Sequence, residues 1–168
     1  GCCGVLAGPL DGFTMLAFAA RNIALAETRG LDIITLCNGC FGTLSKAAHQ
    51  LEHKEVRDKV NAVLKEIGLE VQGKARVYHF HQILYDVIGL EEIRKRNKLD
   101  LSGCAIGCHN GCHLVKPSDV LHFDQAAYPR KLEDMVAATT ARTVTPQGFE
   151  HCCGSLLLPH NQDSSYAF

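Results

Sequence analysis

The tripeptide Cys-Cys-Gly occurs twice, at residues 2–4 and 152–154, in a chain that holds nine cysteines among 168 residues. Adjacent cysteines seldom form a disulfide with each other. Their side chains diverge, so one small tetrahedral ion has little use for both. A cluster with several irons can use both, because neighbouring thiolates then reach different metal atoms. The competing reading is two coincidental pairs of buried thiols, since free cysteine is among the most buried residue types. Other cysteines at regular distances from both pairs weigh against it. Residues 5–36 separate the first Cys-Cys-Gly from a Cys-x-x-Cys at Cys37 and Cys40, and residues 113–151 separate Cys112 from the second. One motif accounts for both spacings: a cysteine, a long gap, Cys-Cys-Gly, a second long gap, then Cys-x-x-Cys. On that reading the chain carries the latter part of one copy and the opening part of another.

Other thiol chemistry is open to the same residues. Zinc takes four ligands, commonly as two short-spaced pairs. Cys37 and Cys40 supply one pair, and Cys104, Cys108, His109, Cys112 and His113 could improvise a second. Twice-adjacent cysteines suit iron–sulfur chemistry better than zinc. A Cys-x-x-Cys at a helix N-terminus also suits dithiol redox chemistry, which has no need of Cys-Cys-Gly. Cys104 reads as a core residue of a strand, and Cys108 as either loop filler or a cluster neighbour. His109, His113 and His151 flank candidate ligands and could donate to cluster sulfur, or be satisfied by backbone and water. His79 and His81, at a strand end, read as structural.

The rest of the chain must position these groups. The length allows one well-cored domain or two small ones, and the composition, 46% hydrophobic and 21% charged, is that of an ordinary globular protein. A formal charge of -1 argues against nucleic acid as a partner. No stretch reaches the roughly twenty apolar residues of a membrane span; Arg21 and Asn22 interrupt the best candidate. With no sign of secretion, nine cysteines point to metal or redox use rather than disulfides.

Apolar periodicity predicts a helix over 14–29 with Leu16, Ala20, Ile23 and Ala24 on one face, ended by Gly30. Further helices are expected over 41–51 and 56–67, and helical pieces over 79–88 and 90–97. Pro129 is expected to open a helix that turns Leu132, Met135 and Val136 inward, and Pro159 another. Strands are expected at 31–36, 75–78 and 101–106, with a further one at 142–145. Residues 107–113 read as an irregular, glycine-punctuated loop. The alternation implies an α/β fold, parallel sheets flanked by helices. Functional groups of such sheets gather beyond the carboxyl ends of strands, where Cys37 and Cys112 fall.

The stretches Leu36-Cys37-Asn38-Gly39-Cys40-Phe41-Gly42-Thr43-Leu44 and Gly111-Cys112-His113-Leu114, with Pro117-Ser118-Asp119 and Pro129-Arg130-Lys131-Leu132-Glu133-Asp134, resemble the B subunit of heterodisulfide reductase, of the CCG cysteine-rich domain family. The resemblance runs essentially from end to end. It implies parts of two Rossmann-like cysteine-rich repeats, the first over residues 1–100 and the second, truncated, over 101–168, within an interior piece of a longer protein. It implies two non-cubane 4Fe-4S clusters in the full-length protein, each held by five thiolates. Cys2, Cys3, Cys37 and Cys40 would be ligands of the first, and Cys112, Cys152 and Cys153 of the second. The implied activity is stepwise one-electron reduction of the coenzyme M–coenzyme B disulfide, an oxidoreductase reaction of methanogenesis, with the fragment itself inactive. Implied partners are a ferredoxin-type iron–sulfur subunit and a flavin subunit, in an anaerobic cytoplasm. The gap between Gly4 and Cys37 is slightly shorter than is usual for that family. The cysteine-rich subunits of succinate- or glycolate-oxidising complexes share the motif, and a zinc-stabilised interaction module is the reading from outside it.

Overall fold

A computed structural model describes the chain except residues 126, 146, 148–152, 155–157, 159–160 and 167–168. The chain falls into two compact units: one holds Gly1–Phe80 with Asp119–Leu121, the other His81–Ser118 and the residues from His122 onward.

In the first unit a 3-10 turn, Val5–Ala7, leads into α1, Gly12–Glu27. Asp11 starts this helix: its carboxylate accepts from the amides of Phe13 (3.0 Å) and Thr14 (3.2 Å), satisfying donors that have no partner inside the helix. The expected face is buried, with Leu16, Ala20, Ile23 and Ala24 joined by Ala19. Three alanines on it allow neighbouring helices to approach closely. Strand β1, Ile33–Thr35, leads into α2, Asn38–Gln50, and α3, Lys54–Leu64, follows, closed by a 3-10 turn at Lys65–Ile67 and a left-handed Gly68. Leu44 and Ala47 of α2, with Leu51, Val60, Leu64 and Val71, complete one apolar core with α1, and Cys3 is part of it. Burying each large aliphatic side chain contributes about 1.5–3 kcal/mol.

Strand β2, Val77–His79, pairs parallel with β1, Ile33 opposite Val77 and Thr35 opposite His79. It starts two residues later than the apolar run suggests, for a visible reason. The amides of Gln72, Lys74 and Ala75 donate to the Glu27 carboxylate (2.7, 2.5 and 3.2 Å), and that of Arg76 to Asp32 (2.8 Å). Their amides are held by side chains, and only the Arg76 carbonyl, accepting from the Ile33 amide at 2.8 Å, reaches β1. Buried Asn61 does the same for Val71, donating to its carbonyl (3.0 Å) and accepting from its amide (2.8 Å). Asn61→Ala would leave both groups buried and unpaired, and should destabilise the chain by about 2–4 kcal/mol. Urea unfolding with an unchanged m-value would show it.

The second unit begins within α4, Phe80–Gln82, and continues with a π-helical turn, Ile83–Ile88, and α5, Leu90–Arg96, so the expected helical pieces around Gly89 are present. Strand β3, Ala105–Gly107, is shorter than the expected 101–106. The preceding residues form a turn instead: the Cys104 amide donates to Leu101, and the Leu101 amide to the Thr140 hydroxyl. Cys104 is exposed, not the core residue its apolar neighbours suggested. Gly111, at φ 70°, ends the expected loop early, and α6, Cys112–Val115, begins at Cys112 itself. Helix α7, Ser118–Leu121, comes next. The following helix, α8, starts at Lys131 and runs to Ala137, two residues beyond Pro129. Asp124 decides the start, its carboxylate accepting from the amides of Arg130 and Lys131, both at 2.7 Å. Leu132 and Val136 are half-buried and Met135 is buried, as expected of that helix. Strand β4, Arg142–Val144, pairs parallel with β3, and α9 spans Gln162–Tyr166. Pro159, expected to open that last helix, lies outside the described residues.

The architecture is α/β, with two short parallel pairs, β1-β2 and β3-β4, flanked by helices. No helix among the described residues is long and apolar enough to cross a membrane.

Candidate metal centre

Three thiols of the first unit converge. Strand β1 delivers the chain to Cys37, which stands in extended conformation (φ -112°, ψ 128°) as the residue preceding α2, and Cys40 lies one turn into that helix. The Cys40 thiol has both Cys37 and Cys3 as neighbours. Cys3, only 4% exposed, reaches this point from the chain start because Gly4 is pressed onto α1. Cys2 is exposed; its sulfur accepts from the Gly4 amide at 3.3 Å, and its carbonyl accepts from the side chain of Asn22 at 2.8 Å.

The environment separates the two thiols of the Cys-x-x-Cys. The Cys40 amide, aided by that of Gly39, holds the Cys37 pKa below the ordinary thiol value, although neither amide makes a full capping hydrogen bond to the sulfur. Burial, with the neighbouring sulfurs of Cys3 and Cys37, pushes Cys40 up to about 12. As pH rises, Cys37 therefore becomes thiolate well before Cys40. Iodoacetamide at pH 8 should label Cys37 faster than Cys40 by about tenfold or more. Peptide mass spectrometry checks this, and equal labelling would contradict it.

The second set is less complete. Cys112 is exposed at the start of α6, Cys153 is exposed, and Cys152 lies outside the described residues, as does His151. Cys108 is buried, its pKa raised by that burial and by nearby Glu133, and it lines an apolar cavity of about 1150 Å³ with Leu84, Ile93, Leu132 and Met135. His109 shares that cavity wall, whereas His79 is buried with its ring edge-on to Phe41. Among the described residues no group of three or more His, Cys, Asp or Glu side chains is arranged to hold a metal ion. That holds for Cys104, Cys108, His109, Cys112 and His113 and equally for Cys2, Cys3, Cys37 and Cys40. The first-unit thiols fit iron–sulfur chemistry in donor type, with three sulfurs gathered and Cys2 adjacent in sequence to supply a fourth.

One signal is easily missed in the sequence. The repeat extends well past Cys-Cys-Gly: at a constant offset of 150 residues, Leu6, Pro9, Ala17 and Phe18 recur as Leu156, Pro159, Ala167 and Phe168, while Asp11 and Thr14 recur as Asn161 and Ser164. The structure shows what the shared residues do. Gly4 (φ 87°) and Gly154 (φ 67°) are both left-handed, and each presses against a residue eleven positions on, Met15 or Ser165. Asp11 accepts from the Thr14 amide, and Asn161 accepts from the Ser164 amide at 2.9 Å. Both motifs are therefore one unit, a left-handed glycine followed by a capped helix that packs back on it. Aligning the two motifs beyond their cysteines exposes it.

The profile of the cysteine-rich domain family, CCG, matches residues 1–45 and 106–166. The chain is 39% identical over 148 residues to the B subunit of the ferredoxin/F(420)H(2)-dependent CoB-CoM heterodisulfide reductase of Methanosarcina acetivorans, covering 86% of this chain and 48% of that protein. It is 36% identical over 141 residues to a protein of Archaeoglobus profundus described as similar to the heterodisulfide reductase B subunit, covering 82% and 47%. A third relative, 30% identical over 154 residues, is the 8-methylmenaquinol:fumarate reductase membrane anchor subunit of Wolinella succinogenes, covering 91% and 53%. The chain thus spans about half the length of these curated relatives. Its fold is similar to that in the crystal structure of a hypothetical protein from Helicobacter pylori, with a TM-score of 0.65 at 15% identity, over 96% of this chain and 28% of that one. Two matched segments, each containing one Cys-Cys-Gly, show that the chain belongs to the CCG cysteine-rich domain family.

Proposed function

We propose that this chain is part of an iron–sulfur electron-transfer subunit of the heterodisulfide reductase type. The observation that carries the reading is the convergence of Cys3, Cys37 and Cys40 from distant parts of the sequence onto one helix start. Cys2, Cys3, Cys37 and Cys40 would hold one cluster, and Cys112, Cys152 and Cys153 would contribute to a second. In that assignment the two units are parts of two cysteine-rich domains. A bound cluster would supply one-electron steps, which a two-electron disulfide cleavage needs when electrons arrive singly.

This chain's own residues prepare the place. Gly4 brings Cys3 into the core beside Cys40, and the amides of Gly39 and Cys40 favour negative charge on Cys37, which an anionic thiolate-bound centre requires. The relatives named as subunits of CoB-CoM heterodisulfide reductase support that disulfide as substrate and a multi-subunit complex as setting; with that reading go a non-cubane 4Fe-4S form for the cluster, ferredoxin-type and flavin subunits as partners, and an anaerobic cytoplasm. The Wolinella relative supports a second reading, a cysteine-rich subunit serving fumarate reduction.

Anaerobic reconstitution separates these readings from a zinc module. Iron with acid-labile sulfide, and a paramagnetic signal on one-electron reduction, is the expected result; stoichiometric zinc without sulfide would overturn it.

A further inference from the structure

The Cys-x-x-Cys has a second chemistry that does not depend on iron. Cys37 is exposed, Cys40 beside it is half-buried, and Cys3, which also neighbours Cys40, is almost fully buried. In order of decreasing exposure the sulfurs are Cys37, which a small molecule can reach, then Cys40, then Cys3. Cys37 and Cys40 occupy the residue before α2 and its third position. In that arrangement the side chain of the residue before the helix lies on the same side as the third position, although the Cys37 sulfur makes no capping hydrogen bond. Gly39, between them, has no side chain to stand over Cys37; a Cβ there would lie 3.7 Å from its sulfur.

We propose that Cys37 and Cys40, when no metal is bound, form a reversible thiol–disulfide exchange centre for low-molecular-weight disulfides, with Cys37 attacking and Cys40 resolving. The Cys37 sulfur attacks one sulfur of the small disulfide, whose S–S bond breaks; one small thiol leaves with a proton, and a mixed disulfide remains on Cys37. The Cys40 sulfur then attacks Cys37, displacing the second small thiol and closing the Cys37–Cys40 bond. Two protein thiols are oxidised and one small disulfide is reduced to two thiols, so atoms and electrons balance. Cys3 stays reduced, because its burial keeps it from the oxidant and Cys40 is already engaged. Oxidation would use up two of the sulfurs that a metal centre needs, so the oxidised chain should refuse iron until a dithiol reductant reopens the pair.

The test uses the metal-free, reduced chain and oxidised glutathione, read by free-thiol titration and by mass mapping of the peptides. The expected product has lost two thiols as a Cys37–Cys40 bond, reversed by dithiothreitol. Cys40→Ser should instead trap glutathione on Cys37, while Cys37→Ser should slow thiol loss at this site by about tenfold or more. Circular dichroism confirms that each variant is folded. A bond mapped to Cys3–Cys40, or glutathione trapped on Cys112 with Cys37 unmodified, would overturn the proposal. None of these readouts involves iron, so a failed iron reconstitution leaves the outcome readable, and a failed exchange leaves the iron–sulfur reading standing.

Discussion

Replacing Cys37 or Cys40 by serine is expected to remove most of the iron that the chain takes up on anaerobic reconstitution, whereas Cys112→Ser should remove little. Ligand number makes the difference. The first unit presents Cys3, Cys37 and Cys40 together, with Cys2 adjacent in sequence, and four thiolates suffice for ordinary iron–sulfur clusters. The second region offers Cys112, Cys152 and Cys153, of which Cys112 and Cys153 are exposed to solvent. Three thiolates leave iron positions that water attacks. Serine preserves the shape of the side chain but not the soft, polarisable donor that iron–sulfur centres need. The loss should therefore appear as a fall in affinity of about tenfold or more, with the fold intact. Iron and acid-labile sulfide assays on the three variants, with circular dichroism as the folding control, decide it. Iron that survives Cys37→Ser and vanishes with Cys112→Ser would place the stronger site in the other unit.

Gly4→Ala is expected to destabilise the chain by about 2–5 kcal/mol, a large fraction of the stability of a small unit. Two costs combine. At φ 87° an L side chain crowds its own backbone, worth about 1–2 kcal/mol. A Cβ there would also lie 2.9 Å from both the Met15 carbonyl oxygen and the Phe18 Cβ, a clash with helix backbone that costs about 1–3 kcal/mol to relieve. Gly154→Ala should be at least as damaging, since its Cβ would run into the Ser165 carbonyl oxygen. Gly12→Ala is the control: nothing lies within 4 Å of a Cβ at the first position of α1, so it should be neutral or slightly stabilising. Urea midpoints of the three variants measure the ranking, and a neutral Gly4→Ala would show that Cys3 is held in place by something other than this packing.

The helices with strong periodicity were legible in the sequence because packing reinforces what the pattern states. The face of α1 is the example: every residue expected to be buried is buried. The position of Cys37 just past β1 was also legible, because an apolar run meeting a polar, glycine-containing stretch marks a strand end. Boundaries set by distant side chains were not. Nothing local announces that Glu27 will claim the amides of Gln72, Lys74 and Ala75, or that Asp124 will start α8 beyond Pro129. Nor does anything near Cys104 announce that the turn before it will be held by the Thr140 hydroxyl, which accepts from the Leu101 amide. For the candidate site, residue types and spacing named the cysteines, but the order of Cys37, Cys40 and Cys3 from solvent inward depends on how Gly4 packs on α1. That is a property of three dimensions only.

The parallel pairing of β1 with β2 bears on when during synthesis the thiol site can exist. Ile33 meets Val77 only after both intervening helices have been made, and closing so long a loop has an entropic cost that nothing local repays. Until Val77 has emerged from the ribosome, β1 has no partner strand to fix where Cys37 and Cys40 stand relative to Cys3. A metal encountered earlier would find isolated thiols on a nascent chain and could not serve as a template, in contrast to small zinc modules that fold around their ion. Assembly of any centre here would then wait until the first unit has emerged and folded, with the later residues still to follow.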